Sequence, residues 1–430
     1  MDIIALVVVL LGSFLLTVPI GFAFIATTIL LMLLFTNLPY LMVAEGLFSK
    51  LDSFPLEAVL FFILLGNIMK EGKSSRYLID FTKALMYRVP GGLGIAGVMA
   101  CAIFGAISGS ATATVVAIGA MMVPAMAMAR YEKAFAVGLL TTASILGVII
   151  PPSILMILYS VVANVSMAKL FLGGFIPGLI LAGALSIYTA IVCKKHGYGV
   201  LPGANDALFG PDGLIGPFKK AFWALILPFL ILGGIYGGVF TPTEAAVVGC
   251  VYAIIIELFI YRTLHLKSII GVLKTSGITT GALLITLAGA CIFTDYLTLK
   301  QIPQELSAFV VENINSQYVF LLFVNVFFLF LGTFIDPLSA IIVVTPLLMP
   351  TVTALNIDPI FLGVILTINL GIGYCTPPLG ANLFVAALVM DEAFSRIAVA
   401  VIPAILICLL VLAILNVFPS VVMVLPNLFM

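Results

Sequence analysis

Two serines flank a glycine in an apolar part of the chain. Ser108-Gly109-Ser110 lies inside residues 89–129, which carry no charged side chain. Such a triplet lets a helix end within an apolar layer. The last carbonyls before it and the first N–H groups after it then lack partners in their own helices. A cation fits those carbonyls together with the two hydroxyls, and an anion fits the N–H end of the segment that follows. A second break lies in SILGVIIPPS, residues 144–153, where Pro151 and Pro152 supply no N–H and free carbonyls one turn upstream, around Gly147 and Ile150. Ser108, Ser110 and the carbonyls of Gly147 and Ile150 would form an uncharged cage of oxygen atoms. That cage suits a weakly held monovalent cation, sodium first, because magnesium and calcium sites usually include carboxylates.

The plan occurs twice. An offset of 226 residues places Pro124 on Pro350, Phe135 on Phe361, Leu140 on Leu366, Thr141 on Thr367 and Pro151-Pro152 on Pro377-Pro378. The Ser-Gly-Ser stretch lands on Phe334-Ile335-Asp336 in GTFIDP, and the first break lands in GIGYCTPPLGANL, residues 371–383. Each feature also has a purely structural alternative. Small polar residues let membrane helices pack closely, and a proline pair can be a kink. Asp336 before Pro337 makes a good helix N-cap with proline at N1, although an acid inside a membrane is a functional candidate by default. Glu244 in TPTEAA and Glu57 after SFP read as structural first-turn acids. Asn382, just past the second break, either caps or faces a substrate. Thr112, Ser144, Ser153 and Asn382 are the candidate substrate contacts.

The elements that must position these groups are membrane helices. Charged residues are 8% of the 430, against roughly 25% in soluble domains, and the mean hydropathy is +1.33. At about 20 residues per span plus loops, the length allows on the order of twelve membrane segments. Zero net charge offers no basic footprint for nucleic acid. Cys101, Cys193, Cys250, Cys291, Cys375 and Cys408 are scattered through apolar segments without metal-type spacing. His196 and His265 stand far apart, so a zinc site, a histidine triad or a membrane-embedded hydrolase has little to work with. The first apolar segment has no small-residue cleavage site after it and reads as a retained helix. A channel is disfavoured too, since paired hairpins do not resemble a pore lined by charge rings or a carbonyl filter.

Basic residues favour cytoplasmic loops, and here they orient the two copies oppositely. The amphipathic stretch KEGKSSRYLIDFTKALMYR carries Lys70, Lys73, Arg76, Lys83 and Arg88, whereas its equivalent YLTLKQIPQELSAFVVENI has only Lys300. Earlier in each copy the bias reverses: TNLPYLMVAEGLF has no base, while RTLHLKSIIGVLK has Arg262, Lys267 and Lys274. Inverted repeats with discontinuous helices are the architecture of secondary transporters, whose substrate and ion sites lie near mid-membrane.

The motifs GAISGSATATVVAIGAMMVPAM, LGVIIPPSILMILYS and NLGIGYCTPPLGANLF resemble the large membrane subunit of tripartite ATP-independent periplasmic (TRAP) transporters, and the resemblance covers essentially the whole chain. It implies an all-α polytopic fold of the elevator type, with inverted repeats, two re-entrant hairpins and broken helices. It further implies two sodium ions, a small four-helix membrane subunit on a separate chain and a soluble periplasmic binding protein. The substrate would be an organic acid such as a C4-dicarboxylate or sialic acid. A stand-alone sodium- or proton-coupled carboxylate carrier of the same superfamily is the alternative.

Carried over by residue, the first sodium site falls on Ser108, Ser110, Gly147, Ile150 and Pro152. The second falls on Gly332, Thr333, Asp336, Gly373, Thr376 and Pro378. The implied organisation is scaffold and arm helices at 1–89, a first hairpin and broken helix at 90–167, a scaffold span at 168–193 and a cytoplasmic linker at 194–220. Scaffold and arm helices follow at 221–315, the second hairpin and broken helix at 316–393 and a last scaffold span at 394–430. The expected location is a bacterial or archaeal cytoplasmic membrane, with both termini periplasmic.

Overall fold

A computed structural model describes residues 2–36, 41–49, 51–86, 88–199, 213–314 and 316–430, and every regular element among them is helical. Residues 200–212 of the expected linker and part of the TNLPY loop lie outside the described residues. The fold is all-α and polytopic. An inverted repeat supplies two helical hairpins, each paired with a broken helix.

The first repeat opens with α1 (Asp2–Leu15), α2 (Ile20–Phe35), α3 (Leu41–Ser49) and α4 (Phe54–Glu71). An amphipathic arm, α5 (Ser74–Met86), leads into the hairpin of α6 (Gly92–Ser108), α7 (Ala111–Thr114) and α8 (Ala120–Met128), with a π turn over Val115–Gly119 inside its second limb. The broken helix comprises α9 (Lys133–Ala143), α10 (Leu146–Ile149) and α11 (Ile154–Val162), and α12 (Met167–His196) closes the repeat. The second repeat runs through α13 (Ile215–Tyr236), α14 (Pro242–Ile255), a π turn over Ile256–Ile260, α15 (Leu266–Leu299) and the arm α16 (Ile302–Asn313). Its hairpin is α17 (Gln317–Phe334) and α18 (Pro337–Ala354), and its broken helix is α19 (Pro359–Tyr374) and α20 (Ala381–Met390). The chain ends with α21 (Phe394–Ala400), α22 (Ile402–Val417) and α23 (Pro419–Phe429).

Among the described residues seven helices are long and apolar enough to cross a membrane, or up to ten if each bent pair is one span. This is fewer than the twelve expected from length. The breaks leave pieces such as Gly92–Ser108, Pro359–Tyr374 and Ala381–Met390 below spanning length.

The helices pack in two groups that also touch each other, α4 on α6 and α11, and α15 on α18. In one, α4 lies along α14 and α15, and α2 lies along α15. The α2–α15 crossing is close because both sides lack side chains: a Cβ on Gly289 would fall 2.3 Å from the Gly21 carbonyl. In the other, α6 packs on α9 and α10, α17 on α19, α10 on α19, and α11 on α18. Helix α12 touches α6, α10, α11, α19 and α22, while α22 touches α19. The segments 168–193 and 394–430, expected as scaffold, therefore lie against the hairpin elements. Segment 394–430 comprises three helices, and α21 and α22, bent by 42°, together have the length and apolarity of one span.

Glycine pairs bring each hairpin against its broken helix. A Cβ on Gly105 would fall 2.5 Å from Gly147 Cα, and one on Gly373 would fall 2.9 Å from Gly332 Cα. Glu244 is the N3 member of a capping box with Thr241, in line with its structural reading. The arm α5 depends on a different acid. Glu257, in the second π turn, is fully buried. It accepts from the backbone N–H of Lys73 (3.1 Å) and Ser74 (2.9 Å), from Ser74 Oγ (2.5 Å) and from Thr263 Oγ1. A carboxylate from the second repeat thus caps the start of a first-repeat arm, where the helix dipole favours negative charge.

Glu257→Ala leaves the buried Ser74 N–H and hydroxyl bare, at about 1–3 kcal/mol each. The thermal midpoint of the purified protein is expected to fall clearly, and an unchanged midpoint would remove Glu257 from the arm's anchorage. Gly373→Ala is expected to cost about 1–3 kcal/mol by overpacking. Gly183→Ala, with nothing within 4 Å of the added carbon, is the neutral control, and equal midpoints for the two would refute the tight crossing.

Candidate functional site

The first tip is a sharp turn between helices. α6 ends at Ser108, Gly109 takes the left-handed conformation at φ 62°, and Ser110 is extended as the N-cap of the next limb. Ser110 Oγ accepts from Ala113 N at 3.3 Å, and Thr114 Oγ1 donates to the Ser110 carbonyl at 2.8 Å. The tip sits directly on the break. Ile154 N donates to the Gly109 carbonyl at 3.3 Å. A Cβ on Gly147 would fall 2.6 Å from Thr114 Oγ1 and 2.8 Å from the Ser110 carbonyl, and one on Gly109 would fall 2.9 Å from the Pro152 carbonyl. Ser110, Gly147 and Pro152 are therefore close together, with Ile150 as the extended residue that ends α10, while Ser108 packs against Gly66 of α4, whose added Cβ would fall 3.2 Å from Ser108 Cβ.

Most polar groups at this junction have partners. Pro151 and Pro152, joined by a cis bond, cannot serve the Gly147 and Val148 carbonyls one turn back. Ser153 Oγ donates instead to the Val148 carbonyl at 2.5 Å, and it also caps α11 by accepting from Met156 N. The exception is Ser108. Its Oγ is buried and has no hydrogen-bond partner.

The second tip ends and restarts its helices 226 residues on, but turns through an extended residue instead of a left-handed glycine. α17 ends at Phe334, Ile335 is extended, and Asp336 caps α18 through Oδ2, which accepts from Leu338 N (3.1 Å) and Ser339 N (3.3 Å). The capping role read from sequence is thus present, on a residue that also faces a cavity. Pro377-Pro378 is cis, like its counterpart, and the turn closes with Gly380 N donating to the Thr376 carbonyl at 3.1 Å. Gly332 and Gly373 are in contact, as described above. Thr333 Oγ1 donates to the Phe330 carbonyl and Thr376 Oγ1 to the Ile372 carbonyl. Each hydroxyl oxygen keeps lone-pair capacity for a cation.

Between the tips lies a small cavity of about 60 Å³, lined by Gly109, Ser110 and Thr112 from one hairpin and by Asp336, Pro337 and Leu338 from the other. Asp336 is the one carboxylate in its lining, and Tyr374, the last residue of α19, closes one side. Thr112 Oγ1 and Tyr374 Oη are hydrogen-bonded at 3.2 Å across the repeats. Of the four candidate substrate contacts, Thr112 alone lines this cavity. Ser144, Ser153 and Asn382 are fully buried. Asn382 Nδ2 donates to Ser144 Oγ at 2.8 Å, tying α20 to the first broken helix. Tyr374 was not picked out by sequence reasoning. Its signal was an aromatic hydroxyl directly before the second break, in GIGYCTPP.

Over residues 6–421 the chain matches the family described as "Tripartite ATP-independent periplasmic transporter, DctM component". It is similar to the C4-dicarboxylate TRAP transporter large permease protein DctM of Rhodobacter capsulatus, 37% identical over 424 residues that cover 95% of each chain. It is similar also to the sialic acid TRAP transporter large permease protein SiaM of Vibrio cholerae, 36% identical over 412 residues, covering 96% of this chain and 95% of that one. The crystal structure of the Alcanivorax borkumensis YdaH transporter shares the fold, with a TM-score of 0.66 over 89% of this chain and 88% of that one, at 14% identity. A duplicated hairpin-and-break membrane architecture and these whole-length similarities make one conclusion: the chain belongs to the TRAP transporter large permease family, and it is a transporter subunit, not an enzyme.

Proposed function

We propose that this permease imports an organic acid across a bacterial inner membrane by sodium-coupled alternating access. The observation that carries the reading is the unpartnered, buried Ser108 hydroxyl at the junction of the first tip and break. An unmet buried polar group costs about 1–3 kcal/mol, and a bound cation supplies the missing partner. The first sodium ion would be held by Ser108, Ser110, Gly147, Ile150 and Pro152, all through neutral oxygen atoms. The second would be held by Gly332, Thr333, Asp336, Gly373, Thr376 and Pro378, a set that includes one carboxylate.

The acid is of the C4-dicarboxylate or sialic acid type named for the relatives. Its carboxylate enters the cavity where the second limb of the first hairpin begins, at Ala111, whose first N–H groups favour an anion; at the other limb Pro337 has no N–H and Asp336 already takes those of Leu338 and Ser339. It also meets Asp336. Two like unit charges 4 Å apart repel by about 4 kcal/mol at an effective dielectric constant of about 20, so binding of the acid is favourable once cations are in place. That is a physical basis for coupling. The second packing group, including α12 and α22, moves past the α2–α4–α14–α15 group, with α5 and α16 as flexible arms. A small four-helix membrane subunit on a separate chain completes the permease, and a periplasmic binding protein delivers the acid. Each net charge moved inward through 100 mV contributes about 2.3 kcal/mol.

The test is uptake of succinate and of sialic acid by proteoliposomes that hold the chain and its small subunit, with binding protein, with and without an inward sodium gradient. Uptake is expected to require both sodium and the binding protein. Sodium-independent uptake would sink the coupling, and uptake without the binding protein would favour a stand-alone carrier. Ser108→Ala is expected to raise the half-saturating sodium concentration about tenfold, which corresponds to about 1.4 kcal/mol. An unchanged sodium response would reduce Ser108 to a packing residue. Asp336→Asn keeps an equally good N-cap but removes the charge. Its sodium dependence is expected to become less steep, and a curve identical to wild type would leave Asp336 as a cap alone.

A further inference from the structure

We propose that the Thr112–Tyr374 hydroxyl pair determines substrate specificity in this cavity, and that it selects a short carboxylic acid over a bulky sugar acid. The inference rests on the transport reading above and adds to it the residues and the size class.

The first argument counts protons. Thr112 Oγ1 and Tyr374 Oη share one hydrogen bond, at 3.2 Å. The two hydroxyls carry two protons, and one bond uses one of them. Whichever oxygen donates, one O–H remains for an acceptor. Both residues are half-buried and both line the cavity between the tips. Asp336 accepts from two backbone N–H groups through Oδ2, so an incoming carboxylate competes for that proton with Oδ1 of this one residue. An ionised carboxylate has only acceptors, so it matches the spare O–H. A charge-assisted bond of this kind is roughly twice as strong as a neutral one.

The second argument is size. The cavity is about 60 Å³, whereas pockets for drug-sized ligands run about 300–1,000 Å³. A carboxylate with a few carbons fits such a space better than a polyhydroxylated sugar acid does. The pair also bridges the two repeats, Thr112 on the first hairpin limb and Tyr374 at the end of α19. A ligand that fits beside it leaves the bridge closed, and one that is too long must break it. A site built to hydrogen-bond a particular group discriminates far more sharply than an apolar wall does.

The experiment uses the purified complex of this chain with its small subunit and follows the thermal midpoint as succinate, malate, lactate or sialic acid is titrated, with sodium present and absent. Wild type is expected to respond to at least one short acid and not to sialic acid. Tyr374→Phe and Thr112→Val, each of which removes one hydroxyl with little change of shape, are expected to weaken the short-acid response about tenfold. The midpoint shift caused by sodium alone should not change. Tyr374→Ala is expected to admit sialic acid. The proposal is overturned if both single-hydroxyl variants bind the short acid as wild type does, or if wild type prefers sialic acid; either result leaves sodium-coupled transport standing. Short-acid binding that depends on the pair but ignores sodium supports the specificity assignment and sinks the coupling instead.

Discussion

A backbone N–H or carbonyl in an apolar layer needs a partner, and the rest of this structure follows from where that need is met. Unbroken helices meet it internally. Hairpin tips and helix breaks cannot, so non-helical backbone at membrane depth survives only when buried in protein or lining a cavity. Here the two kinds of defect are brought together. The Gly109 carbonyl receives Ile154 N from the break, Ser153 serves the Val148 carbonyl, and Ser110 and Asp336 cap the limbs that restart beyond each tip. Defects that would be costly apart become mutual partners when stacked. The glycines at Gly105, Gly147, Gly332 and Gly373 are what permit the approach.

This explains which parts of the site were legible in the sequence. Proline, glycine and serine act on the backbone within a few residues, so both tips, both breaks and their common offset could be read directly. The structure puts the helix ends where those residues demand. Long-range choices left no such mark. Glu257 looks like one more acid late in a helix, and only folding brings it to the start of α5, 183 residues away from Ser74. Likewise nothing local in α12 or α22 says which helices they lean on. Their apolar faces would suit either group, and packing decides.

Hydroxyl groups show the same divide. Ser108, Ser144 and Ser153 look equivalent in sequence, as small polar residues near breaks. In the fold Ser153 is occupied by two backbone groups and Ser144 by Thr141 and Asn382, while Ser108 has no partner. The difference is a matter of what each side chain can reach, and a sequence does not record reach. Tyr374 is the converse case. It reads as an ordinary aromatic at a helix end, and it becomes part of the cavity because its hydroxyl extends to the opposite repeat.

The contacts that cross between repeats constrain how the site can open. Thr112–Tyr374, Asn382–Ser144 and Cys375 Sγ to the Thr141 carbonyl all join the first hairpin unit to the second. Breaking them together would expose several buried polar groups in an apolar layer, at about 1–3 kcal/mol each. Movement that keeps them intact avoids that cost. The two hairpin units are therefore better suited to travel as one body than to part from each other. The start of α5 is likewise tied across the repeats, by Glu257, so this arm begins at a fixed helix start rather than at a free linker.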